Sequence, residues 1–359
     1  MKKLVLGISL LVATTTYAQK DELKTLKKMY DKEKLSADDF AKYKETLLKL
    51  ESVATTEDDK VAANFYKAMA PLAEMATMEG QPNPVMIQKI FTPETFTAMV
   101  DGMRSTLDYE AKTGKKVFTD DINETITSFK PIFKQMALAF NTSKKYKEAS
   151  RVFYNTYKLD PKDVSNLENA AITAMNANDY VEAEKLYREI KAVGFKGTGI
   201  GKFGSKEAEV AKNIAALASF NKNDEQAKKD YVDAIALNPN DIQLQIDQAG
   251  IYYRNNDIAT YQKMIEAVLA KDPNNAQLQY NVGILMLNDE SKLVDEINAN
   301  LKDRKKYDEL TKKRKDMFMK ALPYFEKAYQ LDVNNEDVKK TLRLCYTELN
   351  MKDRAAMIK

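Results

Sequence analysis

Chemistry along this chain is easiest to look for in one short segment. Gly199-Ile200-Gly201-Lys202-Phe203-Gly204 satisfies G-x-G-x-x-G, a pattern that lets backbone amides approach a pyrophosphate. That chemistry requires a strand before the glycines and a helix opening from them. Here the preceding EAEKLYREIKAVG is helical in pattern, and Phe203 stands where a phosphate-binding loop needs Ser or Thr. The segment therefore reads as an irregular loop whose glycines permit positive φ. DPNNAQLQ from Asp272 and DVNNEDVKK from Asp332 begin like calcium loops but lack the glycine at the sixth place and the glutamate at the twelfth. Both read as turns. The chain has no histidine and one cysteine, Cys345. The commonest general base and zinc ligand are thus missing, no intrachain disulfide can form, and no metal or cofactor is expected. A carboxylate pair acting as a hydrolase remains conceivable, but no two acids are marked out by their spacing. Cys345 lies mid-helix among Leu342, Leu344 and Tyr346, which predicts a buried apolar role.

The elements that would position any site show a regular beat. KLDPKD, ALNPND and AKDPNN place Pro161, Pro239 and Pro273; the last two are 34 residues apart, and the first two are separated by two such units plus a ten-residue insertion. Units counted so that this proline is position 32 start at Lys130, Val164, Ala208, Ile242, Ala276 and near Glu336. Small residues recur at positions 8 and 20: Ala137 and Ala149, Ala171 and Ala183, Ala215 and Ala227. Two antiparallel helices approach closely only where side chains are small, and proline stops the second helix and sets the connection. Tyr261 at position 20, Arg343 at position 8 and Val333 in place of proline depart from the pattern.

Between Lys130 and Lys359 these residues resemble the tetratricopeptide repeat (TPR) family, with two interruptions. The resemblance implies an all-α fold, an α-solenoid of TPR-like helical hairpins forming a right-handed superhelix. The segments YREIKAVGFKGTG…FGSKEAE and KKYDELTKKRKDMFMKALPYFEKAYQLD are also similar to secreted TPR proteins of the Bacteroidota. Residues 19–128 read as diverged helical hairpins that cap the array, or as a separate small helical domain. Residues 129–359 form the array, with insertions near 194–206 and 288–320. Lys302 to Lys315 in the second insertion holds eight basic residues against three acidic ones. It reads as a solvated helix lengthening the fifth hairpin, with a basic protrusion as the functional alternative.

Residues 1–18 have the pattern of a signal peptide: Lys2 and Lys3, an apolar run from Leu4 to Ala13, and Thr16-Tyr17-Ala18 before the cleavage point. Periplasmic residence after cleavage behind Ala18, or onward secretion, is expected, with no stable membrane insertion. The mature chain is near neutral, which gives no general attraction to nucleic acid.

What the family resemblance implies is partner binding on the concave face, near positions 2, 5, 6, 9, 12 and 13 of each first helix. Carried onto this chain, those positions offer Lys134, Asn169, Lys212, Asn213, Tyr253, Arg254, Tyr280 and Asn281. The family's clamp for C-terminal carboxylates is incomplete, since Leu138 takes position 9 in place of asparagine and Glu209 takes position 2 in place of lysine. The expected function is a non-enzymatic exported scaffold for protein or peptide partners, set in a cell-envelope assembly or secretion complex. A periplasmic carrier or sensor of a small ligand, with the glycine loop as a lid, is the alternative.

Overall fold

The computed structural model describes residues 19–79, 84–194 and 205–358. The leader, most of the GQPNP loop and the glycine motif lie outside them. The described residues form helices joined by turns, with no strand among them. The chain divides into two compact units, Met1–Phe195 and Lys196–Lys359.

The first unit holds α1 (residues 19–30), α2 (Ala37–Val53), α3 (Glu57–Met75), α4 (Pro84–Ile90), α5 (Pro93–Thr113), α6 (Thr119–Thr142), α7 (Tyr146–Leu159), α8 (Val164–Asn176) and α9 (Tyr180–Val193). Ser36 starts α2 with a complete capping box, its hydroxyl accepting from Asp39 N while Asp39 accepts from Ser36 N. Pro71 lies inside α3, which continues to Met75, and α4 is a short helix over a stretch to which the sequence pattern assigned no element. The start of α6 has no capping side chain of its own. Glu110, buried near the end of α5, supplies one. Its carboxylate accepts from the backbone amides of Val117, Phe118 and Thr119 at 2.9 to 3.0 Å and from the Thr119 hydroxyl at 2.6 Å. Burial alone would raise the Glu110 pKa, but these donors outweigh it and hold the carboxyl below its usual range. Phe91, Phe96 and Phe133 pack α5 and α6 together, with ring centroids 4.0 Å (Phe96–Phe133) and 5.4 Å (Phe91–Phe133) apart.

The second unit holds α10 (Lys206–Phe220), α11 (Asp224–Leu237), α12 (Ile242–Arg254), α13 (Ile258–Lys271), α14 (Ala276–Met286), α15 (Glu290–Ala299), α16 (Arg304–Leu331), α17 (Glu336–Glu348) and α18 (Lys352–Met357). Ala211, Ala215, Ala218, Ala227, Tyr231 and Ala234 form one core where α10 meets α11. Gly283 lets α14 lie against Phe325 of α16.

The 34-residue beat is built into the backbone of both units. Lys144, Asn178, Lys222, Asn256 and Asn350 all stand at position 15, and all have φ between 58° and 60°. At each, the amide of position 16 donates to the carbonyl of position 11 at 2.7 to 3.0 Å, closing the first helix with a left-handed turn. The connection after the second helix repeats as well. Asp160, Asn238, Asp272 and Asp332 adopt φ near −130° to −142° and ψ of 73° to 84°. Val333 therefore sits in the same turn as the three prolines. Asn275, the cap of α14, and Asn335, the cap of α17, confirm that the two calcium-like segments are inter-unit turns. The chain is an all-α array of TPR-like helical hairpins.

The second interruption is ordered by one arginine. Helix α16 is 28 residues long, twice the length of α7, α9, α11 and α13. Its Arg314 bridges Glu290 of α15 at 2.6 Å and Glu348 of α17 at 2.5 Å. The basic run thus includes an internal brace.

Candidate functional site: the outward face of the first helices

On α8, α12, α14 and α17 the residues at positions 3, 7 and 10 are buried, whereas those at positions 2, 6, 9 and 13, which share one face of a 3.6-residue helix, are half-buried or exposed. Of the residues expected to face a partner, Asn169, Asn213, Asn281 and Arg254 stand at these positions and Lys134, Lys212, Tyr280 and Tyr253 at the neighbouring positions 5 and 12; Lys134 and Asn169 belong to the first unit and the others to the second.

Two of the three cations among them, Lys212 and Arg254, are engaged inside the chain. Lys212 Nζ lies 3.3 Å from Asp241 at the start of α12. Arg254 reaches back to Asp224 at 2.8 Å and to the Ser219 hydroxyl at 2.9 Å. In the first unit, Lys130 pairs with Asp160 at 2.6 Å and Asp163 at 3.3 Å. Burial would raise the Asp163 pKa, but the Ser165 hydroxyl, Lys130 and Lys134 outweigh it and hold the carboxyl low. These side chains tie one hairpin to the next.

Tyr280 packs 5.7 Å from the Phe325 ring and its hydroxyl lies 3.2 Å from Thr341 Oγ1. Asn281 accepts from the Gln277 side-chain amide at 2.9 Å. Asn169 and Asn213 are half-buried. Tyr253 is 52% exposed, and its ring lies 5.0 Å from that of Tyr261, the large residue at position 20.

The feature that sequence reasoning missed is at position 9. Leu138 is 47% exposed and Ile172 38% in the first unit; Ile284 is 42% exposed and Leu344 50% in the second. On α10 and α12 position 9 is filled by Ala216 and Gly250, and a Cβ on Gly250 would meet nothing within 4 Å. In the second unit the register therefore gives two small residues beside exposed Tyr253, then two aliphatic ones. Neighbouring packed helices lie roughly 8–10 Å apart. That spacing is close to three residues of an extended peptide or two turns of a helix. The signal was present in the sequence as aliphatic residues 34 apart at Leu138 and Ile172.

Cys345 is buried at position 10 of α17, and burial, reinforced by Glu348, pushes its thiol up to about 12. Among the described residues no group of three or more His, Cys, Asp or Glu side chains is placed to hold a metal, and no helix is long and apolar enough to cross a membrane.

No family model matches the chain, and no curated protein matches it. Among solved structures it is similar to YrrB, a TPR protein with an unusual peptide-binding site, at 15% identity over 63% of this chain and 97% of that one, with a TM-score of 0.39. It is also similar to MamA from Desulfovibrio magneticus RS-1, at 14% identity over 58% of this chain and 97% of that one (TM-score 0.39). PilF from Pseudomonas aeruginosa matches at 14% identity over 65% and 90% of the two chains (TM-score 0.39).

Proposed function

We propose that this chain is a non-enzymatic, exported scaffold that holds a protein partner along the first helices of its hairpins, with a cell-envelope assembly or secretion complex as its setting. The observation that carries this reading is the exposed aliphatic residues at position 9 within each unit, Leu138 and Ile172 in the first and Ile284 and Leu344 in the second. Aliphatic side chains exposed at the same register of successive first helices offer another chain an apolar surface to cover. One helical turn before position 9 stand Asn169 in the first unit and Asn213 and Asn281 in the second, whose amides can each donate to and accept from a peptide backbone. In this reading Lys134, Tyr253, Tyr280 and the asparagines contact the partner, while Lys212 and Arg254 contribute by bracing one hairpin on the next. Export is supported by the charged, apolar and small-residue order of residues 1–18.

A photoreactive residue at Asn213, with a control at Glu225 on α11, tests the proposal in living cells. The expected result is a discrete protein adduct at Asn213 alone, lost when Ile284 and Leu344 are both changed to Asp. Equal labelling at both positions, or an adduct indifferent to Ile284→Asp and Leu344→Asp, would overturn it.

A further inference from the structure

A recess of about 710 Å³ opens in the first unit between α1, α3, the end of α5 and residues 115–121. It is distinct from the position 9 residues. Its back wall is aromatic. Tyr66 is buried, and two rings stand nearly perpendicular to it with centroids 6.0 Å away: Tyr30 at 74° and Phe118 at 79°. Buried Phe65 packs behind all three, its centroid 5.4 Å from Tyr30, 5.2 Å from Tyr66 and 4.1 Å from Phe118, so the recess is offered what remains of the three rings, whose faces carry negative quadrupole.

The charges around the recess are unequal in how they are used. Lys115 neutralises Asp58 at 2.5 Å, and Tyr109 donates to the same carboxylate at 2.7 Å. Glu110 is spent on the start of α6. Asp59 accepts from the Thr56 hydroxyl in the cap of α3. Of the lysines, Lys24 and Lys27 are exposed, and Lys27 lies 3.2 Å from Asp31. Asp121 is different. It is half-buried, and no lysine or arginine nitrogen among the described residues lies within ion-pair distance of it. Burial raises its pKa, Lys27 opposes that, and Asp31, Glu124 and Asp120 add to it. A carboxylate in that position gains from an incoming positive charge.

We propose that this recess binds a small organic cation, a primary or quaternary ammonium on an apolar body, with the ammonium among Tyr30, Tyr66 and Phe118 and Asp121 as its counter-charge. The recess already shows the same chemistry in tethered form: Lys115 Nζ lies 5.9 Å from the Tyr109 ring centroid beside Asp58. Its volume falls in the range that encloses a drug-sized molecule, roughly 300–1,000 Å³.

Calorimetric titration of the purified protein with benzyltrimethylammonium and phenethylammonium tests the assignment, with 3-phenylpropanol as an uncharged control. Saturable binding of the cations is expected, weakened about tenfold or more by Asp121→Asn and about fivefold by Phe118→Leu. Glu124→Gln, one turn along α6 and exposed, should bind as the unaltered protein does. No saturable cation binding at millimolar concentration would overturn the proposal. So would equal binding of the alcohol, an unchanged affinity in Asp121→Asn, or an equal loss in Glu124→Gln, which would mean general attraction to an acidic surface.

Discussion

A Cβ on Gly283 would stand 2.6 Å from the Phe325 ring. The glycine at position 8 of α14 is thus the contact that lets a phenylalanine of α16 close the fifth hairpin despite α15, inserted between them. Gly283→Ala should cost about 1–3 kcal/mol by forcing the ring away. Urea denaturation reads the loss, and Phe325→Leu in the same chain should recover part of it, so that the two effects are less than additive.

The turn residues give a second prediction with the opposite sign. Lys144 and Lys222 hold a left-handed conformation that asparagine and glycine adopt more readily. Lys222→Gly should therefore stabilise by about 0.5 kcal/mol, and Lys222→Val should destabilise by about 1–2 kcal/mol. Both appear as shifts in the denaturation midpoint.

Much of this architecture is legible without coordinates, and the reasons differ by residue. The small residues at positions 8 and 20 announce the helix contacts because close approach has few solutions. Position 9 was harder. Leu138 looked like a missing polar contact when compared with a carboxylate clamp, whereas its exposure makes it part of an apolar row. Lys212 and Arg254 looked like ligand-facing cations because their partners, Asp241 and Asp224, lie 29 and 30 residues away and no local pattern joins them. Glu110 was invisible for the same reason, since it caps a helix from the preceding one.

Glu110 carries a pH prediction. Its folded pKa is depressed, so its contribution is present above the ordinary glutamate value of about 4.3 and is lost as pH falls through the folded value. Glu110→Ala should cost about 2–4 kcal/mol at neutral pH, because it leaves three amides at the start of α6 without their acceptor. Glu110→Gln should cost less, and its deficit should shrink on acidification as the native carboxylate protonates. Urea titrations from pH 7 to pH 3 make the comparison.

Cys345 should resist alkylation in the native state. With its thiol pushed up to about 12 and its side chain buried, labelling by iodoacetamide at pH 8 should follow the unfolded fraction across a urea series. Rapid labelling without denaturant would show that α17 opens on its own.

The left-handed closures at position 15 also have a mechanical meaning. Each joins two helices that are neighbours in sequence, through hydrogen bonds spanning only five residues. A chain stretched from its ends would give way hairpin by hairpin, each 34-residue hairpin paying out roughly 110 Å of extended chain. On release each would re-form from contacts close at hand. Such a protein behaves under load as a row of short springs in series, able to lengthen in steps while the hairpins not yet opened keep their exposed faces intact.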